Sequence, residues 1–88
     1  MPTVSRFFGI VIRMYYFPRE HPPAHFHAEY GEHEATIEIE SLECLAGELP
    51  PRAMSMVLEW ARLHQAELLD NWRRCRQQQD LFPIPPLE

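Results

Sequence analysis

The residues best suited to chemistry lie in a histidine-rich stretch between His21 and His33. This stretch contains four of the five histidines of the 88-residue chain. His25 and His27 are separated by one residue, so on a β-strand both imidazoles project from the same side. Two such imidazoles can bind one metal ion or share acid–base work on a substrate. The stretch is therefore the predicted functional site, although the sequence names no substrate.

A divalent metal site is the first chemistry that this stretch could support. Glu29 continues the row of His25 and His27 on the same side of the predicted strand. Two His nitrogens and one carboxylate make a three-ligand site for Zn²⁺ or a facial triad for Fe²⁺. His21, held by two prolines, could supply a further ligand. A divalent metal such as Zn²⁺ or Ni²⁺ is the cofactor that these residues could hold.

The same histidines could instead cleave RNA without a metal. One imidazole would act as the base and the other as the acid, while an arginine stabilises the phosphorane. Arg13 and Tyr15 share one face of the preceding segment, which would have to lie beside the histidines. The flanking carboxylates, however, would repel a phosphate. A third alternative is that the His–Glu pairs only form a polar surface of the sheet and carry out no chemistry. The sequence leaves these three alternatives open.

A β-hairpin is predicted to carry the histidines. Two alternating runs, His25–Tyr30 and His33–Glu40, flank Gly31-Glu32, and a two-residue loop with Gly first is typical of a type II′ turn. This register places His27 opposite Thr36. One face of the hairpin is apolar and faces the core, while the other is polar. The polar face consists of His25, His27, Glu29, Glu34, Thr36 and Glu38.

Two further strands and a stiff loop are predicted before the hairpin. Apolar, β-branched and aromatic residues indicate strands at Thr3–Phe7 and Ile10–Phe17, with a bend near Gly9. Both faces of the second strand are largely apolar, which is typical of a central strand. Three prolines then predict a semi-extended loop over Phe17–Ala24.

A helical segment is predicted in the second half of the chain, after a connection over Ser41–Leu49. Apolar residues recur at steps of three and four from Pro51 to Gln77. An unbroken helix of that length would span about 40 Å, so a kink or break is expected near His64–Ala66. The tail, Leu81–Glu88, is expected to be an extended arm or edge strand packed on the sheet.

These elements predict an α+β fold in one domain over residues 1–88. A small, mainly antiparallel sheet of about four strands is covered on one face by the long, kinked C-terminal helical segment. The apolar fraction of 45% is typical of a globular chain. Cys44 and Cys75 are expected to be buried thiols rather than a disulfide.

The charge and the apolar patterning restrict partners and location. The net charge is −5, so we expect no nucleic-acid partner unless a second protein contributes cations. No apolar run approaches the roughly 18 residues that span a bilayer, and no basic segment precedes an apolar one at the start. We therefore expect a cytoplasmic protein that does not enter a membrane.

The sequence resembles the family of domains of unknown function called DUF4160. The resemblance covers nearly the whole chain, and two prolines before the histidine pair, where the family often has one, are a small departure. It rests on Met1–Phe17, His25–Tyr30, Gly47–Pro50, Trp60, His64, Glu67-Leu68, Asn71-Trp72 and Phe82–Leu87.

The resemblance implies a small bacterial protein that is often encoded beside another small protein, of the family DUF2442. We therefore expect the binding component of a toxin–antitoxin-like two-gene module, with the neighbouring gene's product as its partner. The alternative is a small ribonuclease toxin or a metal-dependent hydrolase that uses the same histidines. Whether the chain is an enzyme stays open, and a homo-oligomer is compatible with the sequence.

Overall fold

A five-stranded antiparallel sheet and two helices make up the computed structural model, which describes residues 2–88. The strands follow one another in the sheet in the order in which they occur in the chain. This confirms the α+β class and corrects the number of strands and helices. The strands are β1 (Thr3–Phe7), β2 (Ile10–Arg13), β3 (His25–Tyr30), β4 (His33–Glu38) and β5 (Cys44–Glu48), and the helices are α1 (Pro51–Leu63) and α2 (Gln65–Arg76).

The β3–β4 hairpin has the predicted register. His27 pairs with Thr36, and Glu29 pairs with Glu34. Gly31 has a φ of +59°, as the first position of a type II′ turn requires. Period-two alternation then places the apolar residues of both strands in the core and leaves both histidines on the opposite face.

The predicted connection over Ser41–Leu49 was wrong, because it contains the edge strand β5. All five residues of β5 are exposed, so the segment lacks the half-buried alternation by which a strand is recognised. Gly47 has a φ of +73°, and a Cβ there would lie 2.1 Å from the Glu34 carbonyl oxygen. Glycine therefore permits the close approach of β5 to β4.

The strand predicted over Ile10–Phe17 ends earlier, at Arg13. Beyond it the backbone leaves the sheet towards the end of α2. There the Phe17 N–H donates a hydrogen bond to the Cys75 carbonyl (3.2 Å) instead of pairing with a strand. The loop that follows returns to the sheet at the start of β3 and so passes close to the histidines.

The helical segment is divided at His64, within the predicted range, into two helices rather than one kinked helix. His64 has a φ of −125° and belongs to neither helix. Directly after it, the Gln65 side chain donates hydrogen bonds to the Ile39 and Glu40 carbonyls (2.9 and 3.2 Å). These bonds tie the beginning of α2 to the segment that follows β4.

The core lies between the helices and one face of the sheet. Trp60 is fully buried, with its ring centroid 5.4 Å from that of Phe7 and 5.9 Å from that of Phe26. The C-terminal tail is an extended arm, as predicted, and the Trp60 Nε1–H donates to the Pro85 carbonyl (2.9 Å). Apolar side chains of both helices belong to the same core: Ala53, Val57, Trp60, Ala61, Leu68, Trp72 and Cys75.

The two cysteines differ in environment. Cys75 is buried, as predicted, whereas Cys44 lies exposed on β5, which corrects its predicted burial. Within residues 2–88, neither helix is long and apolar enough to cross a membrane.

Candidate functional site

The start of β3 and the loop before it bring three potential metal ligands together: Glu20, His25 and His27. Their ligand atoms all lie within 4.8 Å of one another. The Glu20 carboxylate faces both imidazoles, with Oε2 2.9 Å from His25 Nε2 and Oε1 2.5 Å from His27 Nε2. The side chains of Glu20, His25 and His27 are 14, 9 and 15% exposed, so the cluster is shielded from most solvent.

His25 is fixed from both sides. Its Nδ1 lies 2.7 Å from the Pro23 carbonyl oxygen, which can only accept, so Nδ1 carries a proton. If an ion replaced the proton that lies between Nε2 and Glu20, the lone pair of neutral His25 would therefore be on Nε2. The ring centroid of Trp72 lies 5.1 Å from that of His25 and helps to bury it. His25 thus lies under α2 rather than on an open polar face.

His27 presents the same nitrogen to Glu20 and turns the other towards β4. Its Nδ1 lies 3.3 Å from Thr36 Oγ1 and 3.5 Å from Glu34 Oε2. Tyr15 packs edge-on against the imidazole, with ring centroids 4.9 Å apart. The ring of His27 is therefore held between Glu20 of the loop, strand β4 and the ring of Tyr15.

The ionisation of Glu20 is set by opposing effects. Burial raises the pKa of its carboxyl group, but hydrogen bonds from His27 and His25 and their charges outweigh burial and lower the pKa below its usual value of 4.5. Glu20 is therefore a carboxylate at neutral pH, which is the form that binds a metal ion.

Other residues predicted for the site lie close to it but have different contacts. Arg13 Nε lies 3.1 Å from Glu29 Oε2, so Glu29 faces an arginine rather than the imidazoles. His21 is exposed and lies outside the cluster. Burial and the charges of Glu29 and Glu34 raise the pKa of Tyr15, against the effect of two arginines. Tyr15 therefore keeps its hydroxyl proton at neutral pH.

Glu20 is the site residue that the sequence did not predict. It belongs to a proline-rich loop without strand or helix periodicity, so no pattern indicates where its side chain points. The available signal is its chemistry alone: it is a carboxylate in the stiff loop that leads directly into the two histidines.

The three donors lie close enough to converge on one divalent ion, with shifts in their positions. A tetrahedral ion about 2.0–2.2 Å from its N and O ligands holds those ligands roughly 3.4 Å apart. The observed separations of 2.9 and 2.5 Å would therefore open slightly when the ion replaces the protons between the atoms. Three protein ligands leave a coordination position free, which is the pattern of catalytic zinc sites.

A shallow groove of about 270 Å³ runs beside His27 on the sheet face opposite the core. It is lined by His27, Glu34, Thr36, Ala46 and Gly47, so strands β3 to β5 all contribute. This groove gives molecules in solution a surface next to the site.

Comparison with protein families returns a match over most of the chain. A family model described as a domain of unknown function (DUF4160) matches residues 9–73, which include the hairpin, the loop with Glu20 and most of both helices. The resembling segments at both ends, before residue 9 and over Phe82–Leu87, lie outside this match. Neither the curated proteins nor the solved structures yield a significant match.

Proposed function

Because the chain belongs to the DUF4160 family, whose function is unassigned, we propose a function from the geometry of its site. The chain binds one divalent transition-metal ion through Glu20, His25 and His27 and acts as a metal-dependent hydrolase. The observation that carries this proposal is the convergence of two imidazole Nε2 atoms on one carboxylate. A bound ion would act as a Lewis acid and activate a water molecule for hydrolysis.

The donor set favours particular ions. Imidazole nitrogens suit Zn²⁺, Ni²⁺ and Fe²⁺, whereas Mg²⁺ and Ca²⁺ prefer sites made of oxygen ligands. The partly buried carboxylate neutralises part of the ion's charge. Zn²⁺ and Ni²⁺ are the ions with which to test the site first.

The ribonuclease alternative receives less support from the same geometry. A phosphate would have to lie between the two imidazoles, where Glu20 stands. Arg13, which would stabilise the phosphorane, lies against Glu29 and donates from Nη1 to Thr3 Oγ1 (3.1 Å). Negative charge between the histidines favours a cation over a phosphate.

The test of the metal site is calorimetric titration of the purified chain with Zn²⁺ and Ni²⁺. We expect one ion per chain, and saturation at 100 times the dissociation constant should add about 2.7 kcal/mol to the free energy of unfolding. Glu20→Gln and His27→Ala should abolish this binding. His33→Ala, which removes an exposed histidine outside the cluster, is the matched control and should bind as the wild type does. Equal binding by the His25→Ala/His27→Ala double variant would refute the site.

The hydrolytic step has a separate test. The metal-loaded protein is assayed with activated carboxylic and phosphate esters against the same concentration of free ion. Faster hydrolysis that His27→Ala abolishes would support the enzyme. Metal binding without any such hydrolysis would refute the hydrolase and leave a metal-binding protein.

The second candidate is the protein-binding component of a two-gene module. It is supported by a groove of about 400 Å³ at the other end of the sheet, next to the start of α1. Phe8 is 60% exposed there and has a φ of +48°, a conformation that is costly for a bulky residue. The groove is lined by Phe8, Tyr30, Pro50, Arg52, Ala53 and Met56. An exposed aromatic kept in a strained turn suits contact with a partner, for which we propose the neighbouring gene's product.

A further inference from the structure

The two histidines of the site differ in what fixes their second nitrogen. His25 Nδ1 is held by a backbone carbonyl, which no side-chain substitution removes. His27 Nδ1 instead faces two side chains of β4: Thr36 Oγ1 at 3.3 Å and Glu34 Oε2 at 3.5 Å. Substitution of Thr36 or Glu34 can therefore change the orientation of the His27 ring.

Glu34 and Thr36 act differently on the proton of His27. A hydroxyl can donate or accept, so Thr36 is compatible with a proton on either imidazole nitrogen. An ionised carboxylate can only accept, so Glu34 attracts the imidazole when Nδ1 carries the proton. In the metal-free protein His27 Nε2 donates to the Glu20 carboxylate. If an ion replaced that proton, neutral His27 would keep its proton on Nδ1 and would present its lone pair at Nε2.

We infer that Glu34 is a positioning residue of the metal site, and this inference rests on the proposed function. It holds His27 in the form with the proton on Nδ1, so that Nε2 is free to bind the ion. Metal-binding histidines commonly donate their second N–H to a carboxylate, and loss of that carboxylate typically lowers metal affinity 10–100-fold. Here Glu34 is an ion-pair partner of His27 Nδ1 at 3.5 Å, while the hydrogen bond of Nδ1 is with Thr36 Oγ1.

The position of Glu34 on the sheet makes the inference testable without unfolding the protein. Its side chain is 55% exposed at the edge of the groove beside His27, so an isosteric change should leave the core intact. Glu48 is its pairing partner on β5 and is also exposed. Glu48 lies outside the ligand cluster. Glu48→Gln therefore removes the same charge from the same surface without touching His27.

The first measurement is the Zn²⁺ affinity of the two variants by competition with a chelating dye. We expect Glu34→Gln to lower the affinity 10–100-fold and Glu48→Gln to leave it unchanged. Unchanged affinity in Glu34→Gln would overturn the inference. An equal loss in both variants would do the same, because general surface charge would then be the cause.

The second measurement reports the proton directly and needs no metal. Nitrogen NMR of the imidazoles is recorded in the Glu20→Ala background, where Glu20 no longer competes for the proton. His27 should carry the proton on Nδ1 there, and adding Glu34→Gln should shift it towards Nε2. The same tautomer in both proteins would refute the role of Glu34. If the wild type binds no metal, the proposed function fails, and this spectrum alone decides whether Glu34 positions His27.

Discussion

The chemistry of the site depends on which imidazole nitrogens of His25 and His27 carry protons. The Pro23 carbonyl fixes the proton of His25, and Glu20 gathers the Nε2 atoms of both histidines. Cys75 lies near enough for the Glu20 charge to affect it. Burial and then that charge raise the pKa of the Cys75 thiol to about 11, so it stays protonated at neutral pH. A protonated, buried thiol is a poor ligand, which leaves the nitrogens and the carboxylate to bind an ion.

The lowered pKa of Glu20 predicts how acid affects the metal-free protein. A carboxyl group whose pKa is lower in the folded than in the unfolded state stabilises the fold above its unfolded value of about 4.5. That stabilisation is lost as the pH falls through the lower, folded pKa. Between pH 5 and pH 3 the Tm of Glu20→Gln should therefore fall less than that of the wild type.

The measurement is a series of thermal melts in the presence of a chelator. Glu32→Gln removes an exposed carboxylate from the β3–β4 turn and serves as the control, with an acid profile like that of the wild type. Parallel profiles for Glu20→Gln and the wild type would show that the imidazoles do not stabilise the Glu20 carboxylate.

Among the elements, β4 positions the second nitrogen of His27. It carries Thr36 and Glu34 beside His27, and its other edge is paired with β5. Gly47 permits that second pairing because its missing side chain leaves room for the Glu34 carbonyl. The edge strand thus holds the backbone of the residue that we infer to orient His27.

Two glycines with a positive φ allow this contact to be tested. Gly31→Ala should cost only the strain of its φ of +59°, about 1–2 kcal/mol, because no atom lies within 4 Å of the added Cβ. Gly47→Ala combines strain at φ +73° with a Cβ 2.1 Å from the Glu34 carbonyl oxygen. It should therefore destabilise the protein more than Gly31→Ala, as measured by urea denaturation. Equal losses would mean that β5 is not packed against β4 as described.

The whole molecule has candidate functional features at two separate places. The ligand cluster lies where the proline-rich loop meets the start of β3, beside Trp72 of α2. The groove beside Phe8 lies at the start of α1. Arg52 lines that groove, and Arg6 lines a second one on the other side of Phe8. In a chain with a net charge of −5, this end offers cations beside an exposed aromatic. An acidic, apolar partner surface would suit it.

The partner hypothesis predicts that stability and binding respond in opposite directions at Phe8. Gly9 also has a positive φ, so the turn is of a type that favours asparagine at the first position. Phe8→Asn should therefore stabilise the fold by about 1 kcal/mol, since strain of that order is relieved. The same substitution should abolish co-purification with the neighbouring gene's product.

Phe82→Ala provides the matched control for this experiment. Phe82 is 55% exposed but lies in the C-terminal arm under the Arg74 guanidinium, 3.9 Å from its ring centroid. The Phe82→Ala variant should bind the partner as the wild type does. Undiminished co-purification of Phe8→Asn would exclude this end of the molecule as the docking surface.

The sequence by itself determined the features that depend on local alternation. The register of β3 and β4, the shared side of His25 and His27 and the break near His64 all follow from patterns within a few turns or strand residues. Such patterns are readable because burial imposes a period of 2 on strands and 3.6 on helices.

The tertiary structure decided which carboxylate meets the histidines. Glu29 has the correct period but is turned to Arg13 by the pairing of β2 with β3, whereas Glu20 has no period and arrives by the return of its loop. The pairing of the exposed β5 is likewise a contact between distant segments. These choices depend on where separate parts of the chain meet, and no local pattern encodes that meeting.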